Sequence, residues 1–277
     1  MNWFLIDKII DLAFREDIPY GDITTESIVG ENSECFASLL AKEEGIIAGL
    51  PIFKRVFHIL GSVEVDFIVK EGAKVKKGQL IGILKGNAQN VLKGERIALN
   101  ILQRLSGIAT KTNKFAKEVE KTKAKVLDTR KTTPNFRYLE KYAVKIGGGY
   151  NHRYNLSEAV LIKDNHIDVA GSIENAVNSV RKSFPTRTIE VEVEDIKGVR
   201  EALNSKVNII MLDNMSIEDM KEAVSIIDSK ALIEASGNVS LENIKFIAKT
   251  GVDFISVGSL THSFKSLDIS LKNLKIK

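Results

Sequence analysis

Residues 189–259 read IEVEVEDIKGVREALNSKVNIIMLDNMSIEDMKEAVSIIDSKALIEASGNVSLENIKFIAKTGVDFISVGS. Four short apolar runs begin in this stretch at Ile189, Ile209, Leu232 and Phe254, at spacings of 20, 23 and 22 residues. Each interval holds one strand, one helix and two loops. Strands that alternate with helices in this way pair in parallel through right-handed crossovers. Two earlier runs, KVLDT from Lys125 and AVLIKD from Ala159, extend the series upstream. An open doubly wound sheet and a closed barrel both satisfy the pattern.

The strand ends favour the barrel. Nearly every run finishes in a polar or glycine-containing cluster: DTRKT, KDNH, EVE, LDN, ASGN and VGS. A (β/α) barrel builds its active site from the C-terminal ends of many strands, whereas fewer ends converge at the switch point of a doubly wound sheet. Ala124 to His262 spans only 139 residues. An eight-stranded barrel usually takes about 250, so the expectation is an incomplete (β/α) barrel of about six or seven strands.

The rest of the chain reads differently. Residues 34–84 carry short apolar or alternating runs separated by glycines, the pattern of short strands and tight turns. VDFIVKEGAKVKKGQLIGILKG within it is similar to a lipoyl or biotinyl carrier hairpin, but no Met-Lys-Met type context marks a modifiable lysine, and a packing hairpin is the simpler reading. From Asn90 the period becomes helical: Ile97, Ala98, Ile101, Leu102 and Leu105 form one apolar stripe. Gly107 predicts a break, with a second helix over KTNKFAKEVEKT. Residues 1–30 predict a helix and then an irregular segment at PYGDITTESI. The expected organisation is an N-terminal mixed α/β domain over 1–107, with 265–277 packing on it, and a catalytic barrel over 108–264.

Composition narrows the class. Hydrophobic residues make up 44% and charged residues 27%, an ordinary globular balance. A net charge of +4 is too mild to indicate nucleic acid, and the 6% aromatic content offers no stacking platform. Cys35 is the one cysteine, so no intrachain disulfide can form. Acidic residues interrupt MNWFLIDKIIDLAFRED every few positions, which excludes a signal peptide or membrane span there. A cytoplasmic protein without membrane or nucleic-acid partners is expected.

Chemistry concentrates at the strand ends. Arg130, Lys131, His152, Arg153 and Lys163 would face one mouth, and such a concentration of like charge awaits an anion. Arginine grips carboxylate or phosphate through paired hydrogen bonds and lysine acts as a point charge. Gly147–Gly149 would let a backbone approach a ligand or move over it. Glu192 and Glu194 share one strand face, and Asp213 ends the next strand. These carboxylates could hold Mg²⁺ or accept hydrogen bonds from sugar hydroxyls; Glu190 could simply pair with a barrel lysine. Ser236 with Gly237 and Gly258 with Ser259 occupy the last two strand ends, where barrels often bind phosphate. A phosphorylated sugar and a second, acidic substrate fit this set.

These residues resemble the quinolinate phosphoribosyltransferases. The segments that match are GERIALNILQRLSGIAT, DTRKTTP, KYAVKIGGGYNHRYNLSEAVLIKDNHI, IEVEVE, IMLDN, EASGN and GVDFISVGSLTHS, running from Gly94 to Ser263, with PYGDITT nearer the N-terminus. The resemblance implies an N-terminal α/β domain, an incomplete barrel and a homodimer. It implies that Thr129, Arg130, Lys131, His152, Arg153 and Lys163 bind the quinolinate carboxylates and the pyrophosphate, and that Arg96 reaches the partner's site. Glu192 and Asp213 would contact the ribose and Mg²⁺, with Lys131 joining them as a catalytic residue. Ser236, Gly237, Gly258 and Ser259 would hold phosphate, and no organic cofactor is implied. Related enzymes of the same fold, acting on nicotinate or associated with molybdenum transport, are the alternatives. The Arg-Lys and His-Arg pairs favour a dicarboxylate.

Overall fold

A computed structural model describes residues 1–277. The chain opens with α1 (Trp3–Asp17), α2 (Ile23–Ile28), β1 (Glu34–Ala41) and β2 (Gly45–Ile46). Next come α3 (Leu50–Leu60), β3 (Val63–Phe67), β4 (Lys74–Val75), β5 (Leu80–Asn87) and α4 (Ala88–Val119). Then follow β6 (Lys125–Leu127), α5 (Arg137–Ile146), β7 (Val160–Ile162), α6 (Asp164–Ala170), α7 (Ile173–Ser183) and β8 (Ile189–Val193). The last elements are α8 (Ile196–Asn204), β9 (Ile209–Asp213), α9 (Ile217–Ile227), β10 (Leu232–Ser236), α10 (Ile244–Ala248), β11 (Phe254–Ser256), α11 (Ser259–His262) and β12 (Ile269–Ile276). No helix is long and apolar enough to cross a membrane.

Contacts divide the chain into two units, one of residues 1–113, 133–148 and 263–277, the other of residues 114–132 and 149–262. In the first unit an antiparallel sheet has the order β12-β1-β5-β3. β1 alternates along its length, burying Cys35, Ala37, Leu39 and Ala41, as a strand with one face on a core must. α2 forms where the sequence predicts an irregular segment. Asp22 caps it, its carboxylate accepting the Thr25 N–H at 3.0 Å, so a local cap outweighs the turn signals of Pro19 and Gly21.

Gly107 does not break a helix. α4 runs through it without interruption, and the predicted second helix is its continuation. A Cβ at Gly107 would lie 2.2 Å from the Lys265 carbonyl oxygen. The glycine admits the returning chain against the helix, a close-approach role rather than a stop. Leu102, Leu105, Ile108 and Ala109 are fully buried on either side of it, and each such large side chain contributes about 1.5–3 kcal/mol.

The second unit is a six-stranded parallel sheet with the order β6-β11-β10-β9-β8-β7. From β7 to β11 each strand pairs with its neighbour in sequence, and β11 pairs back to β6. That is the singly wound order of a barrel, left open between β6 and β7. All six strands predicted in this half are present. Their even positions at Glu190, Glu192, Glu234 and Ser236 turn inward together, as a period of two requires.

Candidate active site

At the C-terminal ends of the parallel strands lies a cavity of about 820 Å³. Twelve of the thirteen predicted site residues line it: Thr129, Arg130, Lys131, His152, Arg153, Lys163, Glu192, Asp213, Ser236, Gly237, Gly258 and Ser259. Arg96 does not; it is exposed on α4 in the other unit. Leu161, Met211, Asn214, Glu234, Asn238, Val239, Ser256 and His262 complete the lining.

The basic side is built on β6. Asp128, fully buried at its end, accepts the His152 N–H at 2.9 Å and the Asn151 side-chain amide at 2.5 Å. Tyr150 adds a backbone bridge to Leu127. The segment bearing His152 and Arg153 is thereby tied to the strand end bearing Arg130 and Lys131. Arg153 Nη1 donates to the Ala159 carbonyl at 2.9 Å. Burial, and then the neighbouring Arg130 guanidinium, pull Arg153 below the ordinary arginine value, as expected where like charges are crowded. The triple glycine has another use than the expected approach to a ligand. None of its members lines the cavity, and a Cβ at Gly147 would lie 2.5 Å from the Ala109 carbonyl oxygen of α4. It is a packing contact.

Beneath the cations lies a buried acidic pair. His152 Nε2 is 3.0 Å from Glu190 and 3.5 Å from Glu234, while its Nδ1 accepts the Arg153 N–H at 2.8 Å. A ring that accepts at Nδ1 carries its proton at Nε2, so Glu190 accepts from it. Glu190 therefore pairs with a histidine, not with the lysine that the sequence allowed. Burial, and then the charge of Glu190, push Glu234 up to about 8. These three residues bring possible ligand atoms within 4.8 Å of one another, but the Arg153 guanidinium acts on Glu190 and opposes a cation there.

The two carboxylates nearer the mouth have different partners. Lys163 Nζ pairs with Glu192 Oε2. Asp213, at the tip of β9 and in register with Ser236, accepts the Asn214 side-chain amide at 2.7 Å. On the last strands, Gly258 makes room for its neighbours: a Cβ there would stand 3.1 Å from Lys131 Cδ and 3.3 Å from the His262 ring. Thr261 Oγ1 donates to the Lys131 carbonyl at 2.8 Å. The arrangement can grip a polyanion on one side, offer carboxylates to hydroxyls or a metal on another, and admit a phosphate where small residues line the wall.

Glu234, Asn214 and Asn238 went unread in the sequence. Glu234 stands in an apolar run, ALIEAS, whose period marks it as inward but not as functional.

Comparison with known proteins gives a consistent result. The family model described as the quinolinate phosphoribosyl transferase C-terminal domain matches residues 108–272, and that of the N-terminal domain matches residues 22–106. The probable nicotinate-nucleotide pyrophosphorylase [carboxylating] of Bacillus subtilis is 44% identical over 273 residues, covering 98% of this chain and 94% of that protein. The nicotinate-nucleotide pyrophosphorylase [carboxylating] of Mycobacterium leprae is 41% identical over 267 residues, covering 94% of both. The crystal structure of NadC from Streptococcus pyogenes superposes with a TM-score of 0.97 at 43% identity, covering 100% of this chain and 99% of that one.

Proposed function

Because the chain belongs to the quinolinate phosphoribosyltransferase family, we propose that it joins quinolinate to phosphoribosyl pyrophosphate, releasing pyrophosphate, CO₂ and nicotinate mononucleotide. One observation carries the reading. Arg130, Lys131, Arg153 and Lys163 share a single cavity with Glu192 and Asp213, so a polyanion and an electron-poor sugar carbon can be held side by side.

In this reading Arg130, Arg153 and His152 hold the quinolinate carboxylates, with Thr129 beside them. Lys131 and Lys163 meet the pyrophosphate, and Ser236, Gly237, Gly258 and Ser259 receive the 5′-phosphate. His152 enters with Nε2 donating to Glu190 and Nδ1 accepting the Arg153 N–H, so it meets a substrate carboxylate only by redirecting its Nε2 proton away from Glu190. The quinolinate nitrogen attacks the anomeric carbon while the bond to pyrophosphate breaks. Positive charge develops on the sugar, and the carboxylates of Glu192 and Asp213 stabilise it. The ring nitrogen of the product is then cationic. The carboxylate beside it leaves as CO₂, its electron pair is stabilised by that nitrogen, and a proton from solvent replaces it.

Mg²⁺ suits the donor set of Glu192 and Asp213, which offer hard carboxylate oxygens from adjacent strands. Bound with the substrate, it would offset the charge of the pyrophosphate. We also infer a homodimer in which Arg96 serves the partner's cavity; its exposure on α4, and its absence from the residues that line its own chain's cavity, support this. A cytoplasmic location fits a chain with one cysteine, Cys35, which is buried and free.

The test is an assay of the purified protein with quinolinate, phosphoribosyl pyrophosphate and Mg²⁺, with nicotinate in parallel. Nicotinate mononucleotide and CO₂ in equal amounts from quinolinate alone are expected. Turnover of nicotinate instead would overturn the dicarboxylate reading.

A further inference from the structure

The two carboxylates at the mouth are held by opposite means. Glu192 is neutralised by Lys163. Asp213 receives a neutral donor, the Asn214 amide, at its Oδ2. The Asn214 side-chain oxygen in turn accepts from the Asn238 side-chain amide at 2.9 Å. Asn238 is itself fixed, its carbonyl accepting the Asn243 amide at 3.0 Å.

The backbone is shaped to allow this chain of bonds. Asn214 and Asn238 both occupy the left-handed region, with φ of 54° and 47°, a conformation that asparagine tolerates better than most side chains. Between β9 and β10 the Asn214 N–H donates to the Ser236 carbonyl at 3.0 Å, which holds the two strand tips together. Gly237 lies at φ +90°, and a Cβ there would fall 2.2 Å from the Asn214 side-chain oxygen. The glycine leaves the space through which the Asn214 amide crosses from one strand tip to the other.

We propose that Asn214 and Asn238 act in series as positioning residues, orienting the Asp213 carboxylate toward the sugar of phosphoribosyl pyrophosphate without neutralising it. The inference rests on the reading of Asp213 as a sugar or metal contact. A carboxylate at a strand tip is free to turn about two torsions. A lysine would fix it at the expense of its charge. Amide donors fix it without neutralising it, so its charge stays available to the sugar or to the metal bound with it. Asp213 and Glu192 thus differ in how they are held: Glu192 meets a lysine, Asp213 only amides.

Glycine replacements test this without straining the left-handed positions. Asn214→Gly, Asn238→Gly and the double variant are compared with wild type for thermal midpoint, Kd for phosphoribosyl pyrophosphate with Mg²⁺, and kcat and KM for both substrates. Asn214→Gly should lower kcat/KM for phosphoribosyl pyrophosphate by about ten- to a hundredfold, the range of one positioning hydrogen bond to a charged group, with KM for quinolinate unchanged. Asn238→Gly should lose less. The double variant should match Asn214→Gly, since a series relay can be cut only once. Asn214→Asp, with the same shape but no donor, should be as poor as Asn214→Gly. Additive losses, unchanged kinetics, or an equal rise in the quinolinate KM would overturn the relay. If wild type binds phosphoribosyl pyrophosphate but leaves quinolinate untouched, the acceptor reading fails alone; a Kd for phosphoribosyl pyrophosphate weakened by Asn214→Gly and no further in the double variant then supports the relay, and an unchanged Kd overturns it. A wild type that does not bind phosphoribosyl pyrophosphate overturns both.

Discussion

Glu234 is an acid in a place that disfavours its charge. It is 1% exposed, and its carboxyl titrates near 8 against an ordinary 4.5, chiefly because it is desolvated and then because Glu190 is charged. The folded protein therefore keeps this proton at pH values where the unfolded chain has lost it. The resulting stabilisation is complete below the ordinary carboxylate value and is lost as pH rises toward 8. Wild-type stability should fall between pH 5 and 8, and Glu234→Gln, which mimics the protonated form, should flatten that fall. Denaturant melts at three pH values measure it; an unaltered slope in the variant would assign the effect elsewhere. At the mouth, Arg130→Ala should reduce kcat/KM by about 3 kcal/mol, the scale of one charged transition-state contact, and steady-state kinetics close to wild type would reject its role. Arg130 was readable from the sequence because nothing in a fold requires DTRKT at a strand end. Glu234 and Asn238 were not, because their importance comes from neighbours on other strands: His152 and Glu190 in one case, Asn214 in the other.

At the scale of elements, the parallel strands were the most legible part. Val126, Leu161, Val191, Ile210, Ile233 and Ile255, one on each strand, are all buried, and polar strand ends bound each run. Helix boundaries were harder. Gly107 carries the signal of a stop, yet α4 passes through it because a segment 158 positions later, at Lys265, needs the space. No local pattern encodes that contact. It makes a counterintuitive prediction. Gly→Ala in a helix interior ordinarily stabilises by about 0.5–1 kcal/mol, but Gly107→Ala should lower the thermal midpoint, because the new methyl meets a backbone carbonyl that has no rotamer to yield. A rise in the midpoint would show that the returning chain moves aside without cost.

For the molecule as a whole, the strand count and the open barrel followed from spacing, since 139 residues cannot supply eight strand–helix pairs. Arg96 was placed by resemblance alone, and the role proposed for it requires an assembly. If it completes the partner's cavity, two inactive proteins can repair each other. Arg96→Ala mixed in equal amounts with Lys131→Ala, after subunit exchange, should regain about a quarter of wild-type activity, because half the dimers are hybrid and each hybrid holds one intact site. No recovery under conditions where exchange is verified by mass would place Arg96 outside the site.

The uninterrupted course of α4 also limits how this gene can be recombined. The two family models meet between residues 106 and 108, a natural place to splice halves from two relatives. The backbone there is mid-helix, where one added or missing residue turns everything after it by about 100° around the axis. Phe115 and Val119, both buried, would swing to a different side of the helix from Leu102 and Leu105. Chimaeras joined at this point should therefore tolerate many substitutions but no change of length, and a library of crossovers would show that asymmetry as a sharp loss of folded clones at every frame-preserving insertion or deletion of one or two codons.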